Sequence, residues 1–288
     1  IGSNRWTAPS INTMIEGAVL QGRWVVQKKT FAAVVAALIV GVCIGFAFAQ
    51  APWPDLSFTT PQQEGVIELG ADALAGAEPR TYTVWTEDDA PNYYRVAGEA
   101  VVDVELEPGE IAYSGLDELG RSGRAAGCIT YGMVEAGLAR ERGDLSSIRP
   151  SGWGSNAEVD IELIDGRVYH GYLYNRSHLI AKALGGADIR ENLICGTRMQ
   201  NVGANKSGAE GGMAYAETLA RAWLGEHPQG SVQYAARPLY RGDELVCRNV
   251  VVDVRTSDGS IDCEVLVFNA AKGYEIDYAT GGWHACAA

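Results

Sequence analysis

One short polar stretch carries the residue types that hydrolytic chemistry needs. Residues 175–178 read Asn-Arg-Ser-His, and Asn192 and Asn201 follow. A neutral imidazole accepts a proton near neutral pH, so His178 is a candidate general base. A carboxamide offers an oxygen atom, the kind of ligand that hard divalent cations such as Mg²⁺ prefer. A base beside a bound cation is the combination that metal-assisted hydrolysis requires.

The stretch resembles the motif of the DNA/RNA non-specific endonucleases, the ββα-metal or His-Me finger class. Their best-known signature opens Asp-Arg-Gly-His, and the form here is similar to a variant of it. The resemblance spans roughly residues 113–280. It implies that His178 is the general base, that Asn201 holds Mg²⁺ (replaceable by Mn²⁺), and that Asn192 orients the histidine region or supports the metal shell. Asn175 replaces the acidic first residue, which implies altered tuning rather than lost activity.

The resemblance also suggests roles for residues around the motif. Arg176 is expected to contact phosphate or to brace its loop. Glu217 corresponds to a carboxylate that contacts metal-bound water, although Glu210 is an alternative for that role. Four further cations close to the motif in sequence are candidates for substrate binding: Arg149, Arg190, Arg198 and Lys206.

The activity implied is that of an exported, metal-dependent endonuclease. It would hydrolyse phosphodiester bonds of DNA and perhaps RNA, with the metal stabilising the leaving 3′ oxygen and with 5′-phosphate ends as products. Contacts to phosphate and sugar carry no sequence information, so a broad substrate range follows. Two alternatives stay open: a catalytically inactive nucleic-acid-binding module on the same fold, and a surface adhesion domain. A role as a toxin would add an immunity or inhibitor protein as a partner.

The charge balance is acidic, with 36 acidic against 23 basic side chains and a formal net charge of −13. Strong nucleic-acid binders usually carry a basic face, so this balance argues mildly against one. An enzyme that releases its substrate needs positive charge only around one groove. The net charge therefore does not exclude a nuclease.

The N-terminal region predicts export. Residues 1–30 form a flank with basic residues near its end, and residues 31–49 contain no charged side chain. A basic flank, an apolar run and a small-x-small ending are typical of a secretory signal. At ~20 residues the run is also long enough for a membrane anchor. We therefore expect a signal peptide or transmembrane anchor at 31–50, with the remaining chain facing outward and a membrane as partner if the anchor is retained.

Six cysteines are present, of which one, Cys43, lies in the apolar run. The other five, an odd number, allow at most two disulfides and leave at least one thiol. None has C-x-x-C spacing, which argues against a zinc site.

The remaining pattern predicts an α+β fold, a twisted antiparallel sheet flanked by helices around a ββα-metal core. Residues 51–112 are expected to be a linker with a small β-rich segment, either an appendage or the outer strands of the sheet, and residues 113–288 the nuclease domain. Strands are predicted at 81–85, 99–106, 159–163, 168–173, 245–255, 261–268 and 274–278. Helices are predicted at 126–140 and at 213–224, the latter closed by Gly225, with a helical turn at 179–184.

Overall fold

The computed structural model describes residues 82–206 and 208–287, together with the backbone of residues 66–69. These residues belong to one unit, Gln63–Ala288. The strands are β1 (Val66–Leu69), β2 (Tyr94–Gly98), β3 (Ile111–Ser114), β4 (Ala125–Thr130), β5 (Glu158–Glu162), β6 (Val168–Tyr172), β7 (Tyr174–His178), β8 (Leu193–Thr197), β9 (Ser231–Leu239), β10 (Asn249–Thr256), β11 (Asp262–Phe268), β12 (Tyr274–Asp277) and β13 (Gly282–Ala285). The α-helices are α1 (Tyr131–Ala139), α2 (Arg198–Val202) and α3 (Met213–Glu226).

Seven strands form the main sheet, in the order β1-β3-β4-β9-β10-β11-β2. The β1–β3 pair is parallel and the other pairs are antiparallel. The central strand β10 is rich in valine because both of its faces are covered. Val250 and Val252 belong to the largest apolar cluster, whereas Val251 packs in a second cluster with Leu239 and Leu266. The predicted α+β class is confirmed.

Helix α3 covers one face of this sheet. Its buried side chains recur at helical spacing and join the same cluster as the β10 valines: Met213, Ala216, Ala220, Trp223 and Leu224. The helix runs past the predicted end at Gly225, because the backbone N–H of His227 still reaches the carbonyl of Trp223. Burial of this apolar stripe fixes the helix against the sheet.

Three smaller strand pairs accompany the main sheet: β5–β6, β7–β8 and β12–β13. In β5 the side chains alternate, with Val159 and Ile161 buried and the three carboxylates between and beside them exposed. Strand β8 leads directly into α2, whose first turn is capped by Thr197: its side chain accepts a hydrogen bond from Gln200 N at 2.9 Å. Strands β7 and β8 with α2 thus make a β-β-α unit.

The predicted strand at 245–255 begins only at Asn249, and the predicted turn at 179–184 is helical only over Lys182–Leu184. One predicted helix and two predicted strands differ more. The predicted helix at 126–140 begins only at Tyr131, because residues 125–130 pair with β9, residues 125–127 also pair with β3, and Thr130 caps the helix. Residues 82–85 and 99–106 form no strand. Their backbone N–H groups bond to side chains of the sheet instead, as Val101 does to Asp253 Oδ1 at 2.8 Å. Strand β2 ends at Gly98, directly before the strand that was predicted at 99–106.

The N-terminal strands join the main sheet rather than a separate one. β1 and β2 lie at its two edges, and β3 spans the expected boundary at residue 113. The β-rich segment within residues 51–112 was expected to be either an appendage or the outer strands of the sheet, and its strands β1 and β2 are outer strands. The predicted signal or anchor at 31–50 lies outside the described residues, and no helix within those residues is long and apolar enough to cross a membrane.

The cysteines that the structure describes are free thiols: Cys128, Cys195, Cys247, Cys263 and Cys286. Cys195 and Cys247 are buried, and burial raises the pKa of the Cys247 thiol to about 12. A buried neutral thiol packs as a small apolar side chain.

Candidate active site

A cavity of about 850 Å³ opens where β7 ends, beside α2 and α3. Four of the sequence-predicted site residues line it: Arg176, His178, Asn201 and Glu217. The other five do not: Arg149, Asn192, Arg190, Arg198 and Lys206. Residues 175–178 and 201 are brought together because β7 pairs with β8 and α2 follows β8 without a loop.

His178 is the last residue of β7, and its ring pairs with a carboxylate that the sequence did not suggest. His178 Nε2 lies 2.8 Å from Asp188 Oδ1, and both side chains are largely buried. An ionised carboxylate only accepts hydrogen bonds, so the pair places the ring proton on Nε2. Nδ1 is then left with a free lone pair. The ring is oriented to accept a proton at Nδ1.

Opposing effects set the basicity of His178. Burial lowers the pKa of the imidazole below its usual value, whereas the hydrogen bond and the charge of Asp188 raise it. The guanidinium groups of Arg140 and Arg142 lower the pKa further. Because the net direction is downward, the ring is neutral at physiological pH.

Asn192 holds the loop that carries Asp188. Its side chain is fully buried. The Oδ1 atom accepts from Ile180 N at 2.9 Å, and Nδ2 donates to the carbonyls of Ile180 and Ala187, each at 2.9 Å. The loop turns tightly at Gly186, where a Cβ would overlap the Ile180 carbonyl. Asn192 therefore braces the histidine region from behind and has no polar atom left for a substrate.

Replacing Asn192 with alanine is expected to lower the free energy of unfolding by about 2–5 kcal/mol, because three buried backbone groups lose their partner. Urea denaturation of the variant measures this. The exposed Arg149→Ala is the control and should stay within about 0.5 kcal/mol of the wild type. Wild-type stability in Asn192→Ala would contradict the bracing role.

Asn201 lies on α2, which follows β8, the strand that pairs with the strand of His178. Its Oδ1 accepts a hydrogen bond from Ser177 Oγ at 3.2 Å, and Ser177 is fully buried. The serine of the motif thus orients the amide. A carboxamide oxygen has two lone pairs, so one is left for a cation.

Glu217 faces the same cavity from α3. Burial raises the pKa of its carboxyl to about 7, and Arg221 one turn later opposes the shift. A nearby cation would favour the charged form of such a carboxylate. Glu210, the alternative, does not line the cavity.

The donor set fits a hard divalent cation. The Asn201 amide and the Glu217 carboxylate offer oxygen atoms to one cavity, and Mg²⁺ is commonly bound through one or two protein oxygens with several waters. Within the described part of the chain, no group of three or more His, Cys, Asp or Glu side chains could enclose a metal.

Arg176 braces the wall of the cavity. Its Nε donates to the Ile148 carbonyl at 2.5 Å and its Nη2 to the Ser146 carbonyl at 3.0 Å. Its guanidinium also lies over the Trp153 ring, 4.1 Å from the centroid. Of the two roles suggested for Arg176, the contacts supply the bracing one.

The four predicted substrate-binding cations are not among the residues that line the cavity. Arg190 donates to the Gly120 carbonyl at 3.1 Å, and Arg198 lies over the Tyr169 ring at 5.0 Å. Arg149 and Lys206 are exposed. Phosphate contact by these four stays a prediction.

Four charged residues that line the cavity were not predicted from the sequence: Arg142, Asp144, Lys182 and Asp188. The first lies in the loop after α1, and Lys182 donates to the Gly137 carbonyl at 2.9 Å. For Asp188 a signal existed, since it is the first carboxylate after His178 and follows the turn at Gly185-Gly186.

Comparisons with known proteins identify the family of the chain. Residues 107–258, just over half of the chain, match the family model described as DNA/RNA non-specific endonuclease. A deoxyribonuclease from Streptococcus dysgalactiae subsp. equisimilis is 31% identical over 246 residues, covering 68% of this chain and 74% of that protein. The structure of Sda1 nuclease with a bound zinc ion is 36% identical, with a TM-score of 0.66 over 70% of this chain and 100% of that one.

A further structure agrees in fold alone. Magnesium-bound NucA from Streptococcus agalactiae is 22% identical with a TM-score of 0.52, covering 65% of this chain and 84% of that one. The family match and the deoxyribonuclease relative together identify the enzyme class. The chain belongs to the DNA/RNA non-specific endonuclease family and is a hydrolase of that class.

Proposed function

We propose that this nuclease cleaves DNA, with RNA as a secondary substrate, and that it uses His178 as the general base and a divalent cation, Mg²⁺ or Mn²⁺, as its cofactor. One observation carries the proposal: the Asp188-paired imidazole of His178 lines the same cavity as the oxygens of Asn201 and Glu217. Base and cation ligands thus share one cavity. The deoxyribonuclease relative favours DNA as the main substrate.

His178 and Asp188 move the proton. Nδ1 of His178 takes a proton from the attacking water, and the resulting imidazolium is stabilised by Asp188 at Nε2. Products with 5′-phosphate and 3′-hydroxyl ends follow if the water attacks phosphorus opposite the 3′ oxygen.

Asn201 and Glu217 would hold the cation, and Ser177 keeps the Asn201 amide oriented. A bound divalent cation would polarise the phosphoryl group and neutralise charge on the departing oxygen. The cationic side chains of Arg142 and Lys182 offset the negative charge of the substrate at the wall of the cavity. The lining also holds the carboxylates of Asp144, Asp188 and Glu217, so a bound divalent cation would supply much of the positive charge that a phosphate needs.

Export belongs to the same proposal. The basic flank and the apolar run at 31–50 would direct the chain out of the cytoplasm, leaving the nuclease secreted or anchored to a membrane. An exported nuclease acts on nucleic acid outside the cell, and a producing cell that needs protection would supply an inhibitor protein that covers the cavity.

Digestion of supercoiled plasmid and of RNA by the purified protein tests the activity. We expect cleavage in Mg²⁺ or Mn²⁺, no cleavage in EDTA, and recovery when metal is restored. Folded protein that cleaves neither substrate in either metal would contradict the proposal and favour a module that only binds nucleic acid.

Asp188→Asn is expected to slow cleavage about 10- to 100-fold, which is part of the roughly 10²- to 10⁴-fold that a positioned general base contributes. The amide no longer fixes the ring proton on Nε2. Because Asp188 raises the pKa of His178, its loss lowers that pKa, so the acid limb of the rate profile moves to lower pH. Rates measured against pH for both proteins check this. Asp160→Asn, which disturbs an exposed His-Asp pair elsewhere, is the matched control. A wild-type rate and profile in Asp188→Asn would contradict the role.

A further inference from the structure

The linker between α2 and α3 is tied to Asn92, a residue that precedes the family match at 107–258. Asn92 Oδ1 accepts from Ala204 N at 2.9 Å, and Nδ2 donates to the Ala209 carbonyl at 3.0 Å. Its backbone carbonyl accepts from Gly212 N at 3.0 Å. One residue therefore binds the linker at its beginning, at its middle and at its end.

Glycines in the linker allow this close approach. A Cβ at Gly203 or at Gly211 would overlap the side chain of Asn92. Gly203 and Gly212 have φ of 50° and 54°, which other residues rarely adopt. The linker is thus shaped around Asn92.

Asn92 itself is held by a strained neighbour. Tyr93 has φ of 64°, unusual for a large side chain. It is buried and stacks on Trp85 with ring centroids 4.8 Å apart. Its carbonyl accepts from Phe268 N at 2.9 Å, and its hydroxyl accepts from Lys272 N at 3.0 Å. Strain that persists under so many contacts marks a conformation that the surrounding structure enforces.

The two ends of the linker adjoin the proposed cation ligands. Asn201 lies two residues before Gly203, and Glu217 lies five residues after Gly212. We propose that Asn92 is a positioning residue for the cation site: it fixes α2 relative to α3, and thereby the Asn201 oxygen relative to the Glu217 carboxylate. This inference rests on the proposed function, because it requires that these two residues hold the cation.

Binding of Mn²⁺ to the full chain without nucleic acid, followed by the electron paramagnetic resonance of free Mn²⁺, tests the inference. In Asn92→Ala we expect Mn²⁺ affinity to fall about tenfold or more, the lower end of effects from lost outer-shell contacts. The Mg²⁺ concentration for half-maximal cleavage should rise by a similar factor, and saturating Mg²⁺ should restore most of kcat. The acid limb of the rate profile should not move, since His178 is untouched.

A second variant approaches the same contact from the linker. Gly211→Ala places a methyl group against Asn92 and should weaken Mn²⁺ binding in the same way, which keeps the test decisive if Asn92→Ala does not fold. Gln233→Ala is the matched control. Gln233 also binds a loop: its Oε1 accepts from Leu106 N at 3.5 Å and its Nε2 donates to the Leu106 carbonyl at 2.9 Å. It does not line the cavity. Its loss should lower Tm without changing Mn²⁺ affinity.

The outcomes distinguish the positioning role of Asn92 from the proposed nuclease function. Wild-type Mn²⁺ affinity in folded Asn92→Ala and Gly211→Ala, even with a lower Tm, would overturn the positioning role alone. A wild-type protein that neither binds Mn²⁺ nor cleaves nucleic acid would overturn the proposed function and this inference with it.

Discussion

His178→Ala is expected to lower the single-turnover rate of DNA cleavage by about 10²- to 10⁴-fold, the range that a positioned general base contributes. The variant loses the imidazole whose Nδ1 is free to take a proton, while the cation ligands remain. Affinity for Mn²⁺ should therefore stay within about twofold of the wild type. Loss of a residue that supports a cation ligand would lower this affinity about tenfold or more. Quenched-flow cleavage of a labelled duplex and Mn²⁺ titration measure the two quantities.

The chain offers a matched control for this substitution. His170 also pairs with an aspartate, Nδ1 to Asp160 Oδ1 at 2.5 Å, but the pair is exposed and does not line the cavity. His170→Ala should cleave at the wild-type rate. Equal losses in the two variants, or an active His178→Ala, would contradict the assignment of the base.

Asn201→Ala is expected to reduce cleavage by about 10²-fold or more, because stabilisation by the cation amounts to several kcal/mol and each 1.36 kcal/mol is tenfold in rate. Mn²⁺ affinity should fall as well, which distinguishes this variant from His178→Ala. The substitution also leaves the buried Ser177 hydroxyl without its acceptor, so Tm should drop.

Asn205→Gly serves as the control for Asn201→Ala. It removes an exposed amide four residues later, and glycine accepts the φ of 48° there. We expect wild-type Mn²⁺ binding and cleavage. Unchanged Mn²⁺ affinity in Asn201→Ala would show that Asn201 does not hold the cation.

The sequence predicted the part of the site that is local in the chain. His178 and Asn201 lie within one β-β-α unit, so their order and spacing already reflect their placement. The β5–β6 hairpin was predictable for the same reason, since strict alternation of Val159 and Ile161 with carboxylates needs no distant partner.

The rest depends on contacts that no local pattern specifies. Asp188 reaches His178 only because Asn192 and Gly186 fold the loop back. Asn92 meets the linker 112 residues after it, and nothing near Asn92 in sequence signals that contact. Distance along the chain from the motif is a poor guide to the cavity lining, since Arg149, Arg190, Arg198 and Lys206 do not line it.

Secondary structure failed where tertiary contacts overrode propensity. Residues 126–130 are rich in small helix-compatible side chains, yet β9 pairs with all of them and β3 with the first two. Residues 99–106 alternate like a strand, but side chains of the sheet such as Asp253 and Gln233 take up their backbone groups. Strand propensity reflects how well side chains pack on a sheet surface and does not ensure that a segment pairs with a neighbouring strand. In residues 99–106 the backbone groups bond to side chains of the sheet instead.

The pH dependence of single-turnover cleavage at saturating Mg²⁺ shows whether His178 is the general base. His178 must be neutral to accept a proton, and burial lowers the pKa of its imidazole below the usual histidine value. The rate should therefore rise with pH through a midpoint below that usual value and then level off. In His178→Ala this limb should vanish along with most of the rate. A variant that keeps both the limb and the rate would show that another group is the base.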